Sequence, residues 1–415
     1  MSEAARISGE RQMARAAELA RHSEQPDGLT RVAYSPEYRA AAELVLRWMR
    51  EAGMAARLDA AGNVSGRYEG AAPGAPCLLL GSHLDTVRNA GRYDGMLGVI
   101  SAIECVAALH AAGRRLPFAI EVLGFVDEEG VRFGTTLLGS RAIAGRLTPC
   151  DLQAKDASGI TLAEAMRAFG LDPGAVGQAA RRPEEILAYA ELHIEQGPLL
   201  EAEGLAVGAV TAINGYSRFA VRVEGEAGHA GTVPMGLRRD ALAAAAECVL
   251  AVERVGASEP NLVATVGRLE TLPGAINVIP GEVRFTVDLR APDDAQRARA
   301  VAALEAAFSQ VSDRRGVALD LALTQQQGVA ACAPRLIRQV EAAIAAEGHR
   351  VLRLPSGAGH DGMALKGFAD IAMIFVRCAK GISHNPAEAI TADDAEAGAR
   401  VLLRFIEGFE PEPRP

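Results

Sequence analysis

Four short apolar runs, Cys77–Leu80, Ala119–Val126, Ala188–Ile194 and Ile371–Val376, limit most tightly what this chain can fold into. Each has the length of a strand, and nearly continuous apolar character is what a strand covered on both faces requires. Between the first two, Val99, Ile103, Val106 and His110 recur at helical spacing within Leu97–Ala111. Strand, loop, helix and strand therefore follow one another as in a crossover unit. The pattern predicts an α/β domain built on a mostly parallel sheet. His110 falls on or beside the apolar helix face and reads as a packed core histidine rather than a ligand.

The grammar changes in the middle of the chain. Phe219–Glu224 alternates, the loop GHAGTVPMG follows, and an Ala-rich helix is expected over Asp240–Glu253. A strand near Asn261–Leu269, a turn at Leu272–Gly274, a strand Glu282–Leu289, a helix Asp293–Phe308 and a strand near Val317–Leu323 complete a β-α-β-β-α-β order, the ferredoxin-like arrangement. Signals of the first kind resume over Ala333–Glu407. The expected organisation is a small α+β domain, residues 214–327, inserted into a larger α/β domain formed by 1–213 and 328–415. The closing EPEPRP reads as a disordered tail.

Composition closes off several functions. With 43 basic against 52 acidic side chains, a net charge of −9 and no basic run, the chain lacks the patch that nucleic acid requires. The N-terminal segment has no apolar signal core, and no stretch reaches the roughly 20 apolar residues of a membrane span. A soluble, cytoplasmic chain is expected. Its 6 cysteines are scattered without a C-x-x-C pair, which suits a reducing compartment and small buried hydrophobes. Any metal would then be held by histidine and carboxylate.

Those residue types gather at strand ends. Gly81-Ser-His-Leu-Asp-Thr follows the first run and Tyr93-Asp94-Gly95 comes soon after, so His83 and Asp94 could share one ion, with Asp85 accepting the imidazole's other N–H. A strand-end histidine bonded to a loop aspartate explains the same residues equally well. Asp127-Glu128-Glu129 follows the second run. An acidic run is ordinarily a solvated turn, but neighbouring carboxylates can also divide labour, one binding an ion and one taking a proton from water. His193, in ELHIEQGP, and His384, in GISHNP, mark two further strand ends. His83, His193, His229, His360 and His384 lie in Gly-rich loops after apolar runs, whereas His22, His110 and His349 read as helical or surface residues. Histidine and acid sharing one carboxylate suit two divalent ions about 3.5–4 Å apart, zinc or manganese.

Taken together, GSHLDTV with YDGMLGV, DEEGVRFG, HIEQGPLLE, GHAGTVPM with RRDAL, PGAINVIPGEVRFTVDLR, SGAGHDGM and GISHNPAE resemble, over nearly the whole length, one branch of the two-metal aminoacylase/carboxypeptidase superfamily. That branch holds the allantoate amidohydrolases and N-carbamoyl-L-amino acid hydrolases. The resemblance implies a di-metal catalytic domain in which His83, Asp94 and His193 hold one ion, and Asp94, Glu129 and His384 the other, with Asp94 bridging. It makes Glu128 the general base. His193 stands where peptidase relatives carry an acid, which points away from peptides.

The same resemblance assigns substrate handling. Arg290, whose planar fork suits a carboxylate, matches the branch's carboxylate clamp, with Asn277 beside it. Gln196 matches a ureido contact, and Gly359 and His360 line the same pocket. His229 would reach the active site of the partner subunit and steady an oxyanion, which implies a homodimer through the insertion and a lid that closes. The implied activity is hydrolysis of the ureido C–N bond of a small carboxylate. Allantoate is taken first, N-carbamoyl-L-amino acids next and N-carbamoyl-β-alanine third, with a peptidase more distant. The competing class is a ureido-acid binding protein without catalysis, which a filled ligand set and the presence of Glu128 disfavour.

Overall fold

A computed structural model describes residues 6–412; Pro413–Pro415 of the EPEPRP tail lie outside the described residues. The chain divides into two compact units, one made of the segment up to Thr211 with Ala331–Leu354 and the chain from Ala358, the other of Ala212–Ala330 with Pro355–Gly357.

The first unit is organised by one sheet. Its four central strands are Ala119–Phe125, Cys77–His83, Ile186–Ile194 and Ile371–Val376, side by side and parallel. These are the four apolar runs, and every residue of Cys77–His83 and Ile371–Val376 is buried. The sheet as a whole is mixed rather than mostly parallel. Val64–Tyr68 and Ala55–Leu58 extend one side, and Val207–Ile213 the other, each antiparallel to its neighbour. Only Ala55–Leu58 and Val64–Tyr68 are joined by the short return that an antiparallel pair allows; Val64–Tyr68 meets Ala119–Phe125, and Val207–Ile213 meets Ile371–Val376, across long stretches of chain.

The helix Met96–Ala111 supplies the crossover between the first two parallel strands and is buried nearly all round, as its apolar sequence demands. Ile100 and Ile103 are fully buried, each stabilising the fold by about 1.5–3 kcal/mol. Its one acidic residue, Glu104, is buried and paired with Arg11 and Arg15. His110 differs from expectation. It is exposed in the last turn, its ring edge-on to Tyr68 at 5.9 Å above the Gly53 turn, because the helix end runs past the packed sheet.

The second unit is antiparallel throughout, with strand order Leu269–Leu272, Glu282–Ala291, Gly215–Glu224, Ala318–Gln327. Gly215–Glu224 alternates buried and outward residues along its second half, and helices Ala241–Gly256 and Asp294–Arg315 cover one apolar face around Val223, Phe285 and Phe308. Asp240 and Asp293 cap those helices, their carboxylates accepting the first free N–H groups. The expected strand near Asn261–Leu269 is split. Thr265 faces Asp288 while Leu269 faces Phe285, so one side carries an extra residue around Gly267, a bulge that glycine accommodates. Among the described residues, no helix is long and apolar enough to cross a membrane. Five cysteines are buried and Cys150 is exposed.

Candidate metal centre

The first unit brings His83, Asp94, Glu128, Glu129, His193 and His384 together at the carboxyl ends of its parallel strands. His83 ends one strand, the acidic turn follows the next, and His193 lies one residue from the end of the third. One ligand atom each from His83, Asp94 and His193 lies within 4.8 Å of the others, and the same holds for Asp94, Glu129 and His384, and for His83, Glu128 and Glu129. Asp94 belongs to two groups because its two oxygens face opposite ways. Oδ1 is 3.6 Å from His83 Nε2 and 3.2 Å from His193 Nε2, whereas Oδ2 is 3.2 Å from His384 Nε2. His384 Nε2 also stands 3.5 Å from Glu129 Oε1.

The donor chemistry fits cations. His83 Nδ1 and His193 Nδ1 lie 2.9 and 2.8 Å from the carbonyl oxygens of Asp85 and Ile194, so those nitrogens carry a proton, and Nε2 of each ring is the atom that faces Asp94 Oδ1, where a cation can take the place of a proton. Gly95 N–H also points at His193 Nε2, at 3.2 Å. Burial alone would raise the Asp94 pKa, but His193, His384 and His83 outweigh it and hold the carboxyl well below its usual range. Glu128 is driven the other way, well above the usual carboxylate range, by burial and then by Glu129, Asp361 and Asp85, against the pull of His83.

Asp85 does not do what its position suggested. Its carboxylate is 3.9 Å from His83 Nδ1, and its backbone carbonyl orients that ring instead. The carboxylate accepts the N–H groups of Glu128 and Glu129 at 3.0 and 3.2 Å, fixing the acidic turn. That turn is sharp: Asp127 has φ 59°, and His384 and Gln196 at two other strand ends have φ 54° and 56°. Side chains held in this left-handed region cost about 1–3 kcal/mol each and collect at functional sites.

Gly95 shows why the loop before the crossover helix needs glycine. Its φ is +74°, and an added Cβ would stand 2.5 Å from His83 Cε1 and Nε2. Gly95→Ala is expected to push the His83 ring off Asp94 and to add the roughly 1–2 kcal/mol of left-handed strain. Bound metal per chain and Tm should both fall; a variant retaining wild-type values of both would contradict this packing argument.

Other anticipated residues divide between the units. In the first, Gln196 Nε2 donates to Asp94 Oδ2 at 3.1 Å while its buried Oε1 has no partner among the described residues. A Cβ on Gly359 would lie 3.9 Å from Glu128 Oε1. His360 is buried with its ring 4.4 Å from that of His193, and burial, then His193, hold its pKa well below the usual value. In the second unit, His229 and Asn277 are exposed neighbours: His229 pairs with Val278, and Ala230 N–H donates to the Asn277 carbonyl. Arg290 lies on another strand, its fork on Asp288 at 2.8 and 3.1 Å and its Nη1 on the Gly357 carbonyl.

The sequence reading passed over Glu191, Ser383, Glu388 and Asp361. Glu191 joins His193 and His360 in a buried group and accepts from Ser82 Oγ and Tyr189 OH at 2.8 and 2.9 Å. Period two along the strand was the available signal, since residues 191 and 193 share a face. Asp361 is fully buried, and neither carboxylate oxygen has a partner among the described residues.

Comparison with known proteins follows the same lines. The model of peptidase family M20/M25/M40 matches residues 79–408. An N-carbamoyl-L-amino acid amidohydrolase of Geobacillus stearothermophilus is 44% identical, covering 96% of this chain and 98% of its own. A probable allantoate deiminase of Oryza sativa subsp. japonica is 41% identical, covering 94% and 86%. Among solved structures, a hydantoinase/carbamoylase family amidase from Burkholderia multivorans superposes with a TM-score of 0.91 at 36% identity, covering 97% of each chain.

Proposed function

The chain belongs to peptidase family M20/M25/M40 and is a hydrolase of C–N bonds; from that premise we propose a metal-dependent amidohydrolase that cleaves the ureido bond of a small carboxylate. The observation that carries this reading is the buried Asp94 carboxylate, one oxygen facing His83 and His193 and the other His384. We assign His83, Asp94 and His193 to one ion and Asp94, Glu129 and His384 to a second, zinc or manganese. Such ions, when bound, supply the Lewis acidity that polarises a carbonyl and acidifies water.

The chain's own residues do the rest. Glu128, anchored through its backbone by Asp85, takes the proton of the attacking water and returns it to the leaving nitrogen. The free acceptor Gln196 Oε1 suits a ureido N–H. By their chemistry and motif resemblance, Arg290 and Asn277 are assigned to the substrate carboxylate and His229 to the oxyanion. A lid role for the 214–327 insertion, a homodimer formed through it and a cytoplasmic location complete the reading.

Allantoate is the substrate we place first. N-carbamoyl-L-amino acid is the second reading, favoured by the relative of that name at 44% identity. The two substrates share carboxylate and ureido groups, so the choice rests on assay. With manganese or zinc supplied, ammonia release from allantoate should exceed that from N-carbamoyl-L-methionine. The reverse order assigns the second reading, and inertness toward both with tight binding of either would make the protein a binder rather than an enzyme.

A further inference from the structure

Ser383 and Glu388, which the reading above leaves without a task, stand behind the carboxylate shared by both ligand groups. Ser383 Oγ is 3.1 Å from Asp94 Oδ2 and 3.0 Å from Glu388 Oε2, and it accepts from Gln196 Nε2 at 3.1 Å. Glu388 is buried, and its Oε1 accepts the backbone N–H groups of Tyr93 and Asp94 at 2.8 and 3.1 Å. The approach is close enough that a Cβ at Gly91 would lie 2.2 Å from that oxygen. One buried carboxylate therefore holds the backbone of Asp94 and, through a hydroxyl, addresses its side chain.

The hydroxyl has a single proton to place. Ser383 can donate to Asp94 Oδ2 or to Glu388 Oε2, but not fully to both. Asp94 Oδ2 already accepts from Gln196 Nε2 and is the oxygen that faces His384. A second donation there would occupy the electron density that a cation in the Asp94, Glu129 and His384 group needs. A donation to Glu388 leaves it available.

We propose that Glu388 is a positioning residue acting through Ser383: it fixes the Asp94 backbone, which both groups share, and turns the Ser383 hydroxyl away, so that Asp94 Oδ2 presents a lone pair to the ion of the Asp94, Glu129 and His384 group. This rests on the two-ion reading. Neither residue is assigned a contact with substrate. Glu388→Gln keeps the shape and the Oε1 acceptor, but its amide donates to Ser383 Oγ and forces the hydroxyl toward Asp94 Oδ2. Ser383→Ala removes the proton and leaves the backbone clamp. The harm done by Glu388→Gln should therefore travel through Ser383 and disappear when Ser383 is also replaced.

The test is titration of the metal-stripped full chain with Mn2+ against a chromogenic chelator, with His384→Ala identifying which dissociation constant belongs to which group. Glu388→Gln should weaken the Asp94, Glu129 and His384 ion by about 10- to 100-fold, the usual cost of losing an outer partner of a ligand. The other ion should change by less than about twofold, the scatter expected of an uncoupled site. Ser383→Ala should hold both ions within that limit, and Glu388→Gln with Ser383→Ala should return to the Ser383→Ala values. The inference is overturned if Glu388→Gln changes neither ion, weakens both alike, or stays equally weak in the double variant. Wild-type protein binding fewer than two ions would instead overturn the two-ion reading, so the two failures are distinct.

Discussion

Glu128→Gln is expected to reduce kcat by about 10²- to 10⁴-fold, the range of a lost general acid–base group, while bound metal stays at the wild-type level. The two carboxylates of the acidic turn make this separation testable. Glu129 lies with Asp94 and His384, whereas Glu128 is held beside His83 and is only 9% exposed. Burial and the neighbouring Glu129, Asp361 and Asp85 carboxylates raise its affinity for a proton, the direction a base needs in order to accept one near neutrality. Glutamine preserves the volume and cannot receive that proton. Asp85 anchors the turn through the backbone N–H groups of residues 128 and 129, so the substitution leaves the geometry of Glu129 in place. Turnover and metal analysis on the same preparation check the expectation. Near-normal kcat would remove Glu128 from the proposed mechanism, and loss of metal alongside kcat would make it a ligand instead.

The centre of the sheet was legible because its strands are covered on both faces and therefore read as apolar runs, and His83, Glu129 and His193 stood out because each lies in such a run or within a few residues of its end, whereas Asp94 and His384 lie further on in the loops. Local sequence put His83, Glu129 and His193 at strand ends but left them open between ligand and ordinary turn residue, and only the family resemblance assigned them to ions. Local sequence was insufficient for the outer strands, whose sense is set against partners remote in the chain, Val64–Tyr68 against Ala119–Phe125 and Val207–Ile213 against Ile371–Val376, and for His110, whose helical phase matched a core face that the helix end overshoots. The role of Asp85 was misjudged for a related reason: spacing brought it near His83, but the free N–H groups of residues 128 and 129 compete for the same carboxylate. Glu388 was invisible in another way. Its partners Tyr93 and Asp94 lie 295 and 294 residues away in the chain, and nothing in the text GISHNPAE says which loop it will meet.

The largest expected loss comes from Asp94→Ala. One carboxylate serves both candidate ligand groups, so one substitution should empty both, whereas His384→Ala, which touches only the group with Glu129, should empty one. The asymmetry follows from the carboxylate's two faces. Removing Oδ1 leaves His83 and His193 without the acid between them, and removing Oδ2 leaves His384 and Glu129 with no third donor. Loss of an outer partner alone costs about 10- to 100-fold in metal affinity or activity, so loss of a shared inner ligand should exceed about 100-fold in both. Elemental analysis after dialysis should then give a descending series from wild type through His384→Ala to Asp94→Ala, with activity falling in the same order. Far-UV circular dichroism would show that the apolar strands, which owe their burial to the helices and not to Asp94, persist. If Asp94→Ala retained as much metal as His384→Ala, the two groups would have separate carboxylates and the shared-ligand geometry would fail.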